Sequence, residues 1–279
     1  MDPVVFHTAL GSAVLHAGWN AAARRRSDPG EGLAVVLYAA SLAAVPLLMI
    51  TGLPTRVAWP WLGGGLVANI ISARTLMAAY RRAPFAVSYP ITRGLTPPLV
   101  AVAAAVVTAE VPSKHALLGI GAVSLALLVL AGRALRLGET PLSGVLLAAV
   151  SSVFAAGYVF TDAQGVRAAG SVWAYGFTIP LINGIALGGL SAAEGRPPWR
   201  LPWGEWRFGF RACLVSYTSS LLVLFAFTHG PTGPVAALRE TSVLFAVGFA
   251  AWMLAERVGR MEWLSAVIAV IGIALLRLG

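Results

Sequence analysis

Apolar residues arrive along this chain in long unbroken runs, and the short stretches between them hold most of its charged residues. Each run covers about 18–24 residues, and at about 1.5 Å per helical residue that length crosses a hydrocarbon core about 30 Å thick. The pattern predicts ten helices, at roughly 4–23, 31–52, 59–81, 84–108, 114–131, 141–162, 170–193, 206–228, 231–255 and 260–278. Residues 24–32 are charged and contain glycine, 51–60 hold two prolines, and 132–141 hold three charges. Residues 194–205 combine prolines, arginines and tryptophans, a mixture suited to a membrane interface. A β-barrel would instead show alternation in segments of about ten residues. The fold class is therefore all-α integral membrane, with little chain left over for a soluble domain.

Composition agrees. Hydrophobic residues make up 58% of the chain and charged residues 11%, with a mean hydropathy of +0.80; soluble domains carry roughly 25% charged residues. The net charge of +9 sits in small clusters at the ends of runs, such as Arg24-Arg25-Arg26, Arg81-Arg82 and Arg133/Arg136. That distribution fits lipid headgroups and topology, not nucleic acid. Cys213 is the only cysteine, which excludes intramolecular disulfides and cysteine-based metal sites. The start, Met1-Asp2-Pro3-Val4, lacks a basic n-region and reads as a first helix, not a signal peptide.

The two halves repeat. Tyr80-Arg-Arg-Ala-Pro84 resembles Phe227-Thr-His-Gly-Pro231, and the pairs Arg93/Glu110 and Arg239/Glu256 share one spacing, each bracketing an Ala/Val-rich run. The simplest architecture is two five-helix units, 1–135 and 137–279. An odd number of spans per unit turns the second upside down, and inverted repeats place a substrate site between the halves near the midplane.

The five-plus-five arrangement, His16-Ala-Gly-Trp-Asn20 in the first helix, Pro90-Ile-Thr-Arg93 in the fourth, and Ala237-Leu-Arg-Glu240 leading to Ala255-Glu-Arg257 in the ninth together resemble the EamA-like branch of the drug/metabolite transporter superfamily. The resemblance covers nearly the whole chain. It implies a ten-helix exporter or permease of the plasma or inner membrane, with a central cavity lined by both halves, no nucleotide-binding module and no cofactor. It names no solute.

Ionisable groups inside a span cost about 2.5–3.5 kcal/mol each on insertion scales, so they usually face the bundle interior or a wet cavity. Ser12, His16 and Asn20 recur every four residues on one helix face with Trp19 beside them, as a solute path or as polar packing. Arg93 and Arg239 match between the halves, and a guanidinium fork suits carboxylate or phosphonate, so each is a solute ligand or half of a structural ion pair. Glu240 cannot easily reach its own neighbour Arg239, because adjacent helical residues point about 100° apart, which favours an Arg93–Glu240 contact across the halves. Tyr158 and Asp162 share a face of the sixth helix, and an ungapped register sets Asp162 against His16. A carboxylate near a histidine can relay protons, although Asp162 falls near the predicted helix end. Arg74, following Asn69 and Ser72, faces the cavity or snorkels to headgroups. Tyr89 and Tyr217 either contact solute or pack. Glu110 and Glu256 read as interface caps beside basic residues. Pro97-Pro98 should kink or break the fourth helix, and Gly63-Gly64-Gly65 reads as close packing, since no phosphate-loop lysine follows.

Secondary transport of a small solute, anionic or zwitterionic, is the leading expectation, with Trp19, Asn20, Arg74, Tyr89, Arg93, Tyr217 and Arg239 in the site and His16, Asp162 or Glu240 carrying a coupled proton. The alternatives are a membrane-embedded enzyme on a lipid-linked substrate, for which no nucleophile elbow or metal-ligand spacing is present, and a channel or sensor, for which no filter motif is present. Membrane lipids are expected partners, and pairing with a second copy is left open. Counting Lys and Arg per side puts both termini outside, whereas the resembled family has both inside; the two agree that the termini share a side.

Overall fold

The computed structural model describes residues 1–24, 29–137, 140–254 and 259–279. Arg25, Arg26, Glu256 and Arg257 lie outside the described residues. The described chain is helical, with no strand: α1 (Pro3–Arg24), α2 (Pro29–Thr51), α3 (Trp59–Tyr80), α4 (Phe85–Thr108), α5 (Lys114–Leu137), α6 (Leu142–Ala168), α7 (Val172–Ala193), α8 (Trp203–His229), α9 (Thr232–Glu240), α10 (Ser242–Leu254) and α11 (Arg260–Leu278).

Proline sets many of the starts. Pro84, Pro141, Pro202 and Pro231 stand in non-helical conformation directly ahead of α4, α6, α8 and α9, where the missing N–H costs nothing and the ring blocks any preceding turn. Ser171 caps α7 by accepting from the Ala174 N–H at 3.2 Å. Ala109 closes α4 in the left-handed region at φ 54°, its N–H returning to the Ala104 carbonyl.

Eight described helices, α2 to α8 and α11, are long and apolar enough to cross a membrane. The first helix falls short in apolarity because Ser12, His16 and Asn20 interrupt it. The predicted helix over 231–255 is divided at Thr241 into α9 and α10, of 9 and 13 residues. Conversely α4 continues through Pro97-Pro98 without a break. The sixth helix extends to Ala168, so Asp162 lies inside it and not near its end.

Packing pairs helices from distant parts of the chain: α1 lies on α8, α3 on α6, α2 on α7 and α8, and α5 on α11, while α4 packs against α5, α6 and α9. Two of these contacts are sealed by matched serines. Ser12 Oγ donates to the Ser219 carbonyl at 2.7 Å and Ser219 Oγ to the Ser12 carbonyl at 2.8 Å. Between α3 and α6, Ser72 and Ser151 exchange the same two bonds at 3.0 and 2.9 Å. Apolar surface gives helices no drive to associate in lipid, so small residues and such hydrogen bonds supply it. At Gly184 a methyl group would overlap the Ser41 side chain, which is how closely α7 approaches α2.

The ends of α1 and α11 meet. The Met1 ammonium donates to the Arg277 carbonyl at 3.2 Å, and the Arg277 guanidinium donates to the Met1 carbonyl. On the same face the Thr55 hydroxyl and N–H reach the Ala168 and Ala169 carbonyls at 2.6 and 3.2 Å, so the connection before α3 is tied to the one before α7.

Candidate functional site

Charged side chains from α4, α6 and the α9–α10 junction converge inside the bundle. Arg93 on α4 donates through Nη1 to Glu240 Oε1 at 3.3 Å and to the Tyr158 hydroxyl at 3.5 Å. Glu240 is the more buried partner, with 4% of its side chain exposed against 20% for Arg93. The Tyr89 ring lies under the guanidinium, 5.1 Å from its carbon, and stacks on Phe85 at 4.8 Å. Arg93 Nε is buried without a hydrogen-bond acceptor among the described residues. Pro97 and Pro98 would have donated to the Arg93 and Gly94 carbonyls had they carried an N–H, so backbone oxygen is freed beside the cluster.

One helical turn past Tyr158, the Asp162 carboxylate lies in electrostatic range of Arg239 and of the Tyr175 hydroxyl, which donates to the Thr161 carbonyl at 3.4 Å. Tyr175 is fully buried and fits only because position 165 is glycine; a methyl there would overlap its hydroxyl. Asp162 and Tyr158 line a cavity between α3, α6 and α7, together with Asn69, Asn183 and apolar Leu62, Ile179 and Ile182. Asn69 Nδ2 donates to Asn183 Oδ1 at 3.0 Å across it. The cavity measures about 10 Å³, roughly the room for one water molecule.

The other expected residues separate. Arg74 forms a 2.6 Å ion pair with Glu194 at the end of α7, both side chains well exposed, and Arg196 shares that carboxylate at 3.2 Å. Its guanidinium holds the Glu194 carboxyl below the usual glutamate range, chiefly by hydrogen bonding. Tyr217 donates to the Ala40 carbonyl and packs edge-on against Phe177, tying α8 to α2 and α7. His16 meets Trp19 edge-on at 5.2 Å, and Asn20 donates back to the His16 carbonyl at 3.0 Å. Trp19 packs with the apolar cluster of α2, α7 and α8, its Nε1 buried with no acceptor among the described residues. Tyr158, Asn69, Asn183 and Tyr175 take part in the cluster or its cavity without having been named as site residues; Tyr158 was signalled by sharing a helix face with Asp162, the other three only by polarity inside an apolar run.

Glu110 caps α9. It accepts from the Thr232 N–H and, at 2.9 Å, from its hydroxyl, and it pairs with Arg167 at 3.1 Å instead of with Lys114. Arg167 also donates through Nε to the Phe227 carbonyl at 2.8 Å and through Nη2 to the Gly230 carbonyl at 2.7 Å. These two oxygens would be taken by the N–H groups of residues 231 and 234 in an unbroken helix, and both positions are proline. Arg167 supplies the donors that the prolines lack.

Among the described residues no group of three or more His, Cys, Asp or Glu is placed to hold a metal ion. Residues 142–278, just under half of the chain, match the model of the EamA-like transporter family. No curated protein matches the sequence. A solved structure described only as the crystal structure of a protein superposes with a TM-score of 0.76, over 97% of this chain and 98% of that chain, at 17% identity. At that identity the likeness shows the fold alone. The chain is a multi-pass membrane protein.

Proposed function

We propose that the whole chain, whose residues 142–278 match the model of the EamA-like transporter family, is a secondary transporter that moves a small metabolite across a plasma or inner membrane by alternating access. The observation that carries this reading is the Arg93–Glu240 ion pair, joined by Tyr158, where the short α9 meets the membrane-spanning helices α4 and α6. Buried ionisable groups in a span are costly and mark solute or proton paths. The same interior also holds Asp162 and Arg239, so four charges share one region where packing alone calls for none.

Two inverted five-helix units, 1–135 and 137–279, account for the packing. Exchanging α1–α5 with α6–α11, and counting α9 with α10 as one helix, turns the α1–α8 contact into the α6–α3 contact and returns α2–α7 and α5–α11 to themselves. The two serine clasps exchange likewise, Ser12 corresponding to Ser151 and Ser72 to Ser219. In that register Asp162 falls opposite Ala23, so the ungapped match of Asp162 with His16 gives way. Proton coupling then rests on Asp162 and Glu240, which share the cluster, more than on His16.

Uptake and counterflow of labelled metabolites in proteoliposomes, with and without a pH gradient, test the reading. Saturable counterflow that depends on Arg93 and Glu240 is expected. Continuous conduction, or no saturable exchange of any solute under any gradient, would overturn it.

A further inference from the structure

The two arginines that the sequence treats as equivalents are not equivalent in the structure. Arg93 is engaged by the Glu240 carboxylate, by the Tyr158 hydroxyl and by the Tyr89 ring beneath it. Arg239 is half-buried on the last turn of α9, two residues before the chain interrupts its helix at Thr241, and it makes no hydrogen bond or ion pair with any described residue. Asp162 lies within its electrostatic range without forming an ion pair with it.

A cation in this position needs a reason. Its place near the C-terminal end of α9 returns a small helix-dipole gain, several-fold below the usual cost of carrying an arginine inside a span. A guanidinium with its fork unoccupied, within electrostatic range of the aspartate that lines the small cavity with Asn69, Asn183 and Tyr158, has the form of a receptor awaiting a planar anion.

We infer that Arg239, and not Arg93, binds the anionic group of the transported solute, that this group is a carboxylate, and that Arg93 is instead engaged by Glu240. The inference deepens the transport reading and rests on it for the word solute, but the anion site itself is testable without transport. The charge inventory favours a single carboxylate. With Arg93 paired with Glu240, Arg239 is the guanidinium left to meet a solute, Asp162 is the carboxylate in its range, and a dianion would add a second excess negative charge for which the described interior holds no further cation.

The test uses the full chain in lipid nanodiscs and the arginine reagent phenylglyoxal, with modified peptides quantified by mass spectrometry. Arg239 is expected to react faster than Arg93. Benzoate is expected to slow the Arg239 reaction, about elevenfold at ten times its half-protecting concentration, while benzamide leaves it unchanged. Equal or faster modification of Arg93, or no protection by benzoate, would overturn the assignment. Proteoliposomes carrying Arg239→Gln separate the two readings. Protection without exchange of any solute keeps the anion site and removes the transporter, whereas exchange of carboxylates that survives Arg239→Gln keeps the transporter and removes the anion site.

Discussion

Removing Arg167 tests whether a proline-broken helix junction is held together by one side chain. Arg167→Ala deletes the donors to the Phe227 and Gly230 carbonyls and the ion pair to Glu110, three bonds of 2.7–3.1 Å. Buried hydrogen bonds to a charged group contribute about 1.5–3 kcal/mol each. The Arg167 side chain keeps 29% of its surface exposed, so solvent screening halves that figure and the substitution costs about 2–4 kcal/mol. Arg167→Lys recovers less than half, because an ammonium cannot span both carbonyls and the carboxylate as the guanidinium fork does. Glu110→Gln, which keeps an oxygen for Thr232, costs about 1 kcal/mol. Reversible unfolding in mixed micelles titrated with a denaturing detergent measures all three. An Arg167→Ala loss below about 0.5 kcal/mol, the usual range for an unimportant surface change, would show that the two carbonyls find other donors and that the knot is ornamental.

Two further outcomes are expected. Arg93→Gln strands Glu240 as a buried carboxylate, so the double variant Arg93→Gln/Glu240→Gln should be less destabilised than the sum of the single changes, by about 1–3 kcal/mol in a double-mutant cycle; additive losses would mean that the pair is not formed. The Glu194 carboxyl, held below its ordinary value by Arg74, stabilises the fold above the unfolded glutamate value and loses that contribution as pH falls through the lowered folded value. The thermal-stability difference between the protein and Glu194→Gln should therefore be constant near neutrality and shrink below about pH 4.3, and a difference that persists undiminished in acid would remove the Arg74–Glu194 tie.

Helix positions were legible because a membrane demands apolar runs of a fixed length, and that demand is written residue by residue. The Arg93–Glu240 contact was legible for a similar reason: helix geometry forbids Glu240 from turning to Arg239 and leaves few other cations in the interior. The division at Thr241 was not, since the run Arg239-Glu240-Thr241-Ser242 around it is polar but holds no proline or glycine that would end a helix. Arg167 was not legible either, because its task is defined by Pro231 and Pro234, more than sixty positions away, and by a packing register that no single-sequence pattern carries. Arg74 was read toward the cavity or the headgroups, and its partner Glu194 sits in a connection whose position depends on how far α7 runs. The Asn69–Asn183 bridge was hidden in the same way: each asparagine is an isolated polar residue until α3 and α7 are brought together.

The serine clasps also set a timetable for biogenesis. Ser12 and Ser219 are 207 positions apart, and Ser72 and Ser151 are 79 apart. At about 5–20 residues per second of synthesis, α1 waits about 10–40 s between its own emergence and that of the helix that completes it. During that interval its polar face, Ser12 through Asn20, stands in the bilayer without its final partner, and α3 stands likewise until α6 arrives. The halves therefore cannot mature one after the other: the first becomes a finished structure only by receiving helices from the second.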